Sequence, residues 1–418
     1  MPNRTRLRFA LTSFCLGMIV MHGVLFWIVR QQIVSGSSDF RIFYTSGLML
    51  RRGEGRVLYS EELQTRIERE FAQPAVERGG PLPYNHLPFE ALLYVPLTYL
   101  NYFAAYSLWF AVNILLLAGS IYSLRFYLPT LSADFRALLI FAPLAFFPIA
   151  YVLLQGQDSI LLLALYVLVY VKLRKGEDLQ AGALLGLGLF KFHLVLPFAF
   201  MLLLRRRWRV LSGISIVAVM EAAVSWAIVG GSELLYYPHF VWLVNREQAQ
   251  GVIVPANMAN LRGLVMGWKM MSSPSPLIEL GLLIVSVGLM VWASRQWQPS
   301  DLTDQRSWNS GFSVCVIVSY LVGYHGYNHD MSFLLLPLLL ALDRTLASWR
   351  ATSAGVKLML GLLLFSPLSL FLTLRWSHEN LFAIVLLSLA GYLAASAATG
   401  EPGASVNKSP ELPDALLP

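Results

Sequence analysis

Charge is what this chain has least of. Across 418 residues only 13% are charged while 56% are hydrophobic, against about 25% and about 45–50% in soluble domains. With a mean hydropathy of +0.60, soluble domains of ordinary polarity are excluded. Cysteine is scarce too: Cys15 and Cys315 each lie inside an apolar run, which excludes a disulfide framework and a cysteine metal site. No Gly-rich phosphate loop or dinucleotide fingerprint occurs, so no nucleotide is expected. The net charge is +7, but no basic stripe with interleaved aromatics appears, and nucleic acid is not an expected partner. Lys and Arg instead sit in short clusters between apolar runs, as in cytoplasmic loops of membrane proteins.

What is present is a succession of apolar runs. The expected fold is an all-α polytopic integral membrane protein of about 10–12 transmembrane or half-spanning helices. The first run, Phe9 to Val29, follows a basic start, Arg4 to Arg8, and ends in bulky residues unlike a signal-peptide cleavage site. It reads as a retained anchor with a cytoplasmic amino end. Residues 30–87 then form a first outer loop. Ser60-Glu61-Glu62 opens like a helix cap, with Leu63, Ile67 and Phe71 at helical spacing, and Phe40, Phe43, Tyr44, Gly47 and Leu48 make a second stripe. Two short helices lying in the membrane interface fit this pattern. Basic clusters at Lys172–Lys175, Arg205–Arg209, Arg295 and Arg344–Arg350 belong inside, which puts a second loop, 230–276, outside. Lys172–Lys175 and Arg205–Arg209 flank one span-length run yet want the same side. Ala181–Leu204 must therefore turn back near Lys191 and His193; likewise Leu87–Leu124 allows one net crossing if Arg125 and Arg136 are inside, which makes Leu87–Leu100 a half-helix. Residues 1–395 read as one transmembrane domain, and 396–418 as a disordered cytoplasmic tail.

A charge at bilayer depth costs about 2.5–3.5 kcal/mol on insertion scales, so polar breaks in apolar sequence need a reason. Three stand out: Gln155-Gly156-Gln157-Asp158, Lys191-Phe192-His193, and His325-Gly326-Tyr327-Asn328-His329-Asp330. Asp39 and Tyr84-Asn85-His86 join them beside the first two spans. Each has a plainer reading. Asp39 could pair Arg41 in a solvated loop, and Gln155 and Asp158 could cap the next helix. Lys191 could snorkel, while His325 and His329, four apart, could share a helix face as metal ligands. A single wet cavity opening outward accommodates all of them at once.

A carboxylate facing cations in apolar walls suits a lipid-linked phosphate substrate. Cations would bind the phosphate, and the carboxylate would take a proton from an attacking acceptor hydroxyl. Buried ions and broken helices also suit a transporter or flippase for a lipid-linked or polar solute. No inverted repeat is visible, however, and the polar groups gather at one face.

The motifs resemble those of glycosyltransferase family 87. They are Ser38 to Tyr44 with Gly47 and Leu58-Tyr59; Tyr84 to Phe89 with Pro96-Leu97; Leu154 to Asp158; Gly186 through Lys191 to Arg209; Asn257 and Asn260 ahead of Gly263; and the His325–Asp330 break. The resemblance runs in order over roughly residues 10 to 345. It implies a GT-C-like fold and transfer of a hexose, in that family mannose, from a polyprenyl-phosphate sugar to a lipid or glycan acceptor. On it Asp39 becomes the general base of an inverting displacement. Arg41, Tyr84, His86, Gln157, Asp158, Lys191, His193, Asn257, Asn260, His325, His329 and Asp330 become donor-phosphate or substrate-binding candidates. Lys191 matches a family lysine, although Phe192-His193 stand where family members often carry Pro. No cofactor or metal is expected; a divalent cation is compatible with the residues but not required by them. The expected place is a prokaryotic inner membrane, with the active site on its extracytoplasmic side.

Overall fold

The structure is a computed structural model that describes residues 4–247, 255–267, 275–299, 302–365, 367–372, 375 and 378–398. Among these, every regular element is a helix. Five helices are long and apolar enough to cross a membrane: Arg4–Val34, Tyr102–Tyr127, Trp208–Val229, Pro276–Gln296 and Glu379–Ser396. Two bent pairs are together apolar enough to cross, each as a broken span or a re-entrant loop: Arg136–Ala145 with Phe147–Gln155 at 51° and Asp178–Gly186 with Leu189–Leu204 at 61°. Shorter helices Ser159–Arg174, Gln305–Val322 and Leu335–Ala347 run through the middle. They are buried nearly all round, as expected of helices surrounded by protein on all sides. The fold is thus an all-α polytopic membrane bundle.

Local chemistry explains the two bends. Pro148 lies at the start of Phe147–Gln155, where it suits a first turn but cannot continue the helix before it. In the second pair Gly186, Leu187 and Gly188 lead into a 3-10 turn, Leu189–Lys191, and the chain restarts as Phe192–Leu204. Small residues also lock this pair to Trp208–Val229. A Cβ on Gly182 would fall 1.9 Å from the Val210 carbonyl oxygen, and one on Gly213 2.3 Å from that of Leu179. The two backbones touch, as small-residue contacts between membrane helices allow. The expected break near Lys191 is therefore present as a bend.

The loop after the first span departs from expectation. Phe40–Arg51 and Glu61–Gly79 are helices, and the Ser60 hydroxyl caps the second by accepting from the Leu63 N–H. Phe40–Arg51 does not lie with one greasy face in an interface, because every residue from Phe40 to Met49 except Ile42 is buried. It packs on the segment after Leu87. That segment is not one half-helix but three short turns, Pro88–Glu90, Ala91–Tyr94 and Val95–Tyr99, interrupted by Pro88 and Pro96. Gly47 permits the approach, since a Cβ there would lie 2.9 Å from the Tyr94 carbonyl carbon. The result is a second apolar core, built on Phe40, Phe43, Tyr94 and Trp109, separate from the core of the bundle. The alternative in which His325 and His329 share a helix face, already weakened in sequence by Gly323 and Gly326, does not hold. Residues 323–329 are not helical, because Gly323 and Gly326 end the preceding helix. The expected tail falls almost wholly outside the described residues, as do 248–254 and 268–274 of the second loop.

Candidate active site

Between the two cores lies a cavity of about 460 Å³. Asp39, at the start of Phe40–Arg51, faces it across the Gln155–Asp158 turn. The Asp39 backbone N–H donates to Gln155 Oε1 at 3.2 Å, and Gln157 Nε2 donates to Asp39 Oδ2 at 2.8 Å. The turn comes this close because Gly156 is left-handed, with φ +65°, and a Cβ there would sit 2.6 Å from the Cβ of Phe40. Trp109 fixes the turn from behind, its indole N–H donating to the Gly156 carbonyl at 3.0 Å. Among the described residues, Asp39 is thus oriented by the neutral amides of Gln155 and Gln157.

The carboxylates on the opposite side are held differently. Lys191, brought there by the bend, lies 3.0 Å from Asp158 Oδ1 and 2.9 Å from Asp330 Oδ1. All three side chains are almost wholly buried. The Ser159 hydroxyl donates to Asp330 Oδ1 at 3.2 Å. His329 Nε2 lies 3.5 Å and His193 Nε2 3.9 Å from Asp330 Oδ2. Rings then stack along one wall: His325 on Tyr327 at 6.1 Å, Tyr327 on His329 at 5.8 Å, and His329 on Tyr151 at 6.4 Å. Burial lowers the His325 imidazole to about 3, with the neighbouring His193 acting in the same direction. That ring is neutral near pH 7.

A third group stands behind the Gln155–Asp158 turn. His86 Nδ1 lies 3.1 Å from both carboxylate oxygens of Glu90, one helical turn further on. Ligand atoms of His86, Glu90 and Asp158 all lie within 4.8 Å of one another, so the three could hold a metal ion. Burial lowers the His86 imidazole to about 4, which leaves it neutral.

Of the residues expected from sequence, Asp39, His86 and Gln157 line the cavity, as do Lys191, His193 and Asn257, and His325, His329 and Asp330. Four do not. Arg41 turns away, with Nη2 donating to the Gly80 carbonyl at 2.9 Å and Nε 3.5 Å from Glu68 Oε2. Residues two apart on a helix do not share a face, whereas Ile42, three from Asp39, lines the cavity. Tyr84 is fully buried and its hydroxyl donates to the Leu87 carbonyl. Asn260 braces loops, donating to the Gly323 carbonyl at 2.7 Å and accepting from the Gly263 N–H at 2.8 Å. Asp158 sits just behind the wall. It makes no side-chain cap to the helix it precedes, because Lys191 takes its carboxylate.

Sequence reasoning passed over Glu90, Tyr151 and Glu379, and took Tyr327 only as part of the third break. Glu90 carried a usable signal, a charge inside the apolar stretch after Leu87. Glu379 opens the last helix and looks like an ordinary interfacial acid, yet it too lines the cavity.

The arrangement offers an accessible carboxylate, an aromatic wall and a buried ionic network around space for a small polar group. Comparison with known proteins adds one finding. The sequence profile of glycosyltransferase family 87 matches residues 84–322, more than half of the chain. No curated relative and no solved structure matches it.

Proposed function

The chain belongs to glycosyltransferase family 87 and is a membrane glycosyltransferase; from that premise we propose that it moves a hexose, of which mannose is the leading case, from a polyprenyl-phosphate sugar to a glycolipid or glycan hydroxyl in the cavity of Asp39. In this reading the cavity opens on the extracytoplasmic side of a prokaryotic inner membrane. Asp39 Oδ1 takes the acceptor hydroxyl proton as the oxygen forms its bond to the anomeric carbon. The bond from that carbon to the phosphate oxygen breaks on the opposite face, and polyprenyl phosphate departs with the electron pair. Anomeric configuration inverts.

The observation that carries the reading is the contrast in how carboxylates are held. Asp39 accepts one amide hydrogen bond and lines the cavity, whereas Asp158 and Asp330 share an ammonium. Of the three, only the first both lines the cavity and has no ionic partner among the described residues. His193, His329 and the Asn257 amide, together with the wall of stacked rings, supply donors and an apolar face for sugar and phosphate. Lys191 has a narrower part than the sequence suggested, since its charge is already matched by two acids.

The test is incubation of purified protein with labelled polyprenyl-phosphate hexoses and membrane extract, followed by product identification. Wild type should give one labelled product. Asp39→Asn should lower turnover about 10²–10⁴-fold, the usual weight of a general base, with an unchanged melting curve. Wild-type turnover by Asp39→Asn removes the base, and solute uptake without a covalent product removes the transferase reading.

A further inference from the structure

We propose that His86, Glu90 and Asp158 form a binding site for one divalent cation of the Mn²⁺ class, set against the wall of the cavity.

Three observations converge. The first is the donor set. One imidazole nitrogen and two carboxylates, from two segments of chain, bring their ligand atoms within 4.8 Å of one another. That mixture of nitrogen and hard oxygen suits Mn²⁺ better than a thiolate-seeking metal. The second is that two buried carboxyls face each other inside the cluster. Glu90 is 3% exposed and Asp158 0%, and only a proton shared between the two carboxyls or a bound ion keeps Glu90 Oε1 and Asp158 Oδ2 from being left without a partner. A buried polar atom left so costs about 1–3 kcal/mol, and more when charged. His86 Nδ1 is hydrogen-bonded to Glu90 Oε2 and lies equally close, at 3.1 Å, to Oε1.

The third is charge. Glu90, Asp158 and Asp330 form a contiguous buried group whose ammonium is Lys191. Three carboxyls meet one ammonium, an excess that a proton on one of them or a divalent cation must offset, since uncompensated buried charge is what proteins avoid. Lys191 is also the one Lys or Arg among the described residues lining the cavity, where Asp39 adds a further carboxylate. An anionic substrate entering such a space is repelled unless positive charge stands nearby. His86 belongs both to the cluster and to the cavity wall, so a cation there would act on a phosphate within the cavity.

Cation binding stands apart from the proposed transferase reading; only the cation's effect on a sugar phosphate rests on it. The test therefore begins without substrate. Full-length protein in lipid nanodiscs is stripped with EDTA and titrated with Mn²⁺, free ion being read by electron paramagnetic resonance. One ion per chain is expected. Glu90→Gln, which keeps shape, and His86→Gln should each weaken binding at least about 10-fold, and Asp39→Asn should leave the stoichiometry at one. Absence of saturable Mn²⁺ binding by wild type, or binding unaltered in both Glu90→Gln and His86→Gln, overturns the site. In the second stage, sugar transfer should fall with EDTA and return with Mn²⁺. Transfer that persists in EDTA, by protein that binds no Mn²⁺, overturns the inference and leaves the transferase intact. Saturable, Glu90-dependent binding without any transfer does the reverse.

Discussion

The two sides of the cavity hold carboxylates in opposite ways. Asp39 is oriented by Gln155 and Gln157, neutral amides that fix its direction and leave its charge uncompensated. Asp158 and Asp330 are locked on Lys191, whose ammonium makes them poor proton acceptors. The same residue type thus serves as a reagent on one side and as structure on the other. What differs is whether the partner is a dipole or an ion. A dipole orients a base without quenching it, whereas an ammonium at 3 Å stabilises the ionised form against any proton it might take.

The sharpest way to break this contrast is to remove the ammonium. Lys191→Met should leave buried carboxylates unpaired and cost about 3–5 kcal/mol, read as a collapse in folded, monodisperse protein after detergent extraction. A melting curve equal to wild type would show that the ionic side is not structural. The next largest effect concerns Glu68, an acid that belongs to neither class. It is fully buried, 3.5 Å from Arg41, and burial raises its carboxyl from 4.5 to about 7 against the pull of Arg41. An acid raised on folding favours the folded state while protonated. That stability is complete below about pH 4.5 and is lost as pH rises through about 7, a change on the order of 3 kcal/mol. Melting midpoints of wild type should therefore fall between pH 4.5 and 8 relative to Glu68→Gln; parallel curves would show Arg41 to be a full counter-ion. The smallest effect tests the dipole. Gln157→Leu should lower turnover about tenfold, or about 1.4 kcal/mol, with little change in melting. An equal loss of stability would place Gln157 with Lys191 on the structural side.

The bundle was legible because bilayer physics writes itself into composition: apolar runs, basic punctuation and the misfit around Lys172–Arg209 together predicted a broken segment at Lys191. The GQD turn and the Lys191 and His325–Asp330 breaks were legible for the same reason, since polar residues in apolar sequence are conspicuous. Partnership was not. Lys191 stood out as a cation, but nothing in sequence shows that two acids from distant segments meet it. Arg41 sat in the right motif on the wrong face, a matter of helical phase. Glu90 stood out as a charge in apolar sequence, but its link to His86 four residues earlier did not, because Pro88 between them breaks the helical periodicity. Helix Phe40–Arg51 looked interfacial because its apolar stripe is real; burial of its other faces depends on the turns after Leu87, whose packing no local pattern announces.

The contact between Gly156 and Phe40 has an evolutionary consequence. A methyl group at 156 would meet the Cβ of residue 40, an atom shared by every amino acid but glycine. Shrinking the ring at 40 therefore relieves nothing. Descendants of this chain can explore new side chains at 156 only by first shifting the backbone that carries Asp39, so the two sites drift together or stay as they are.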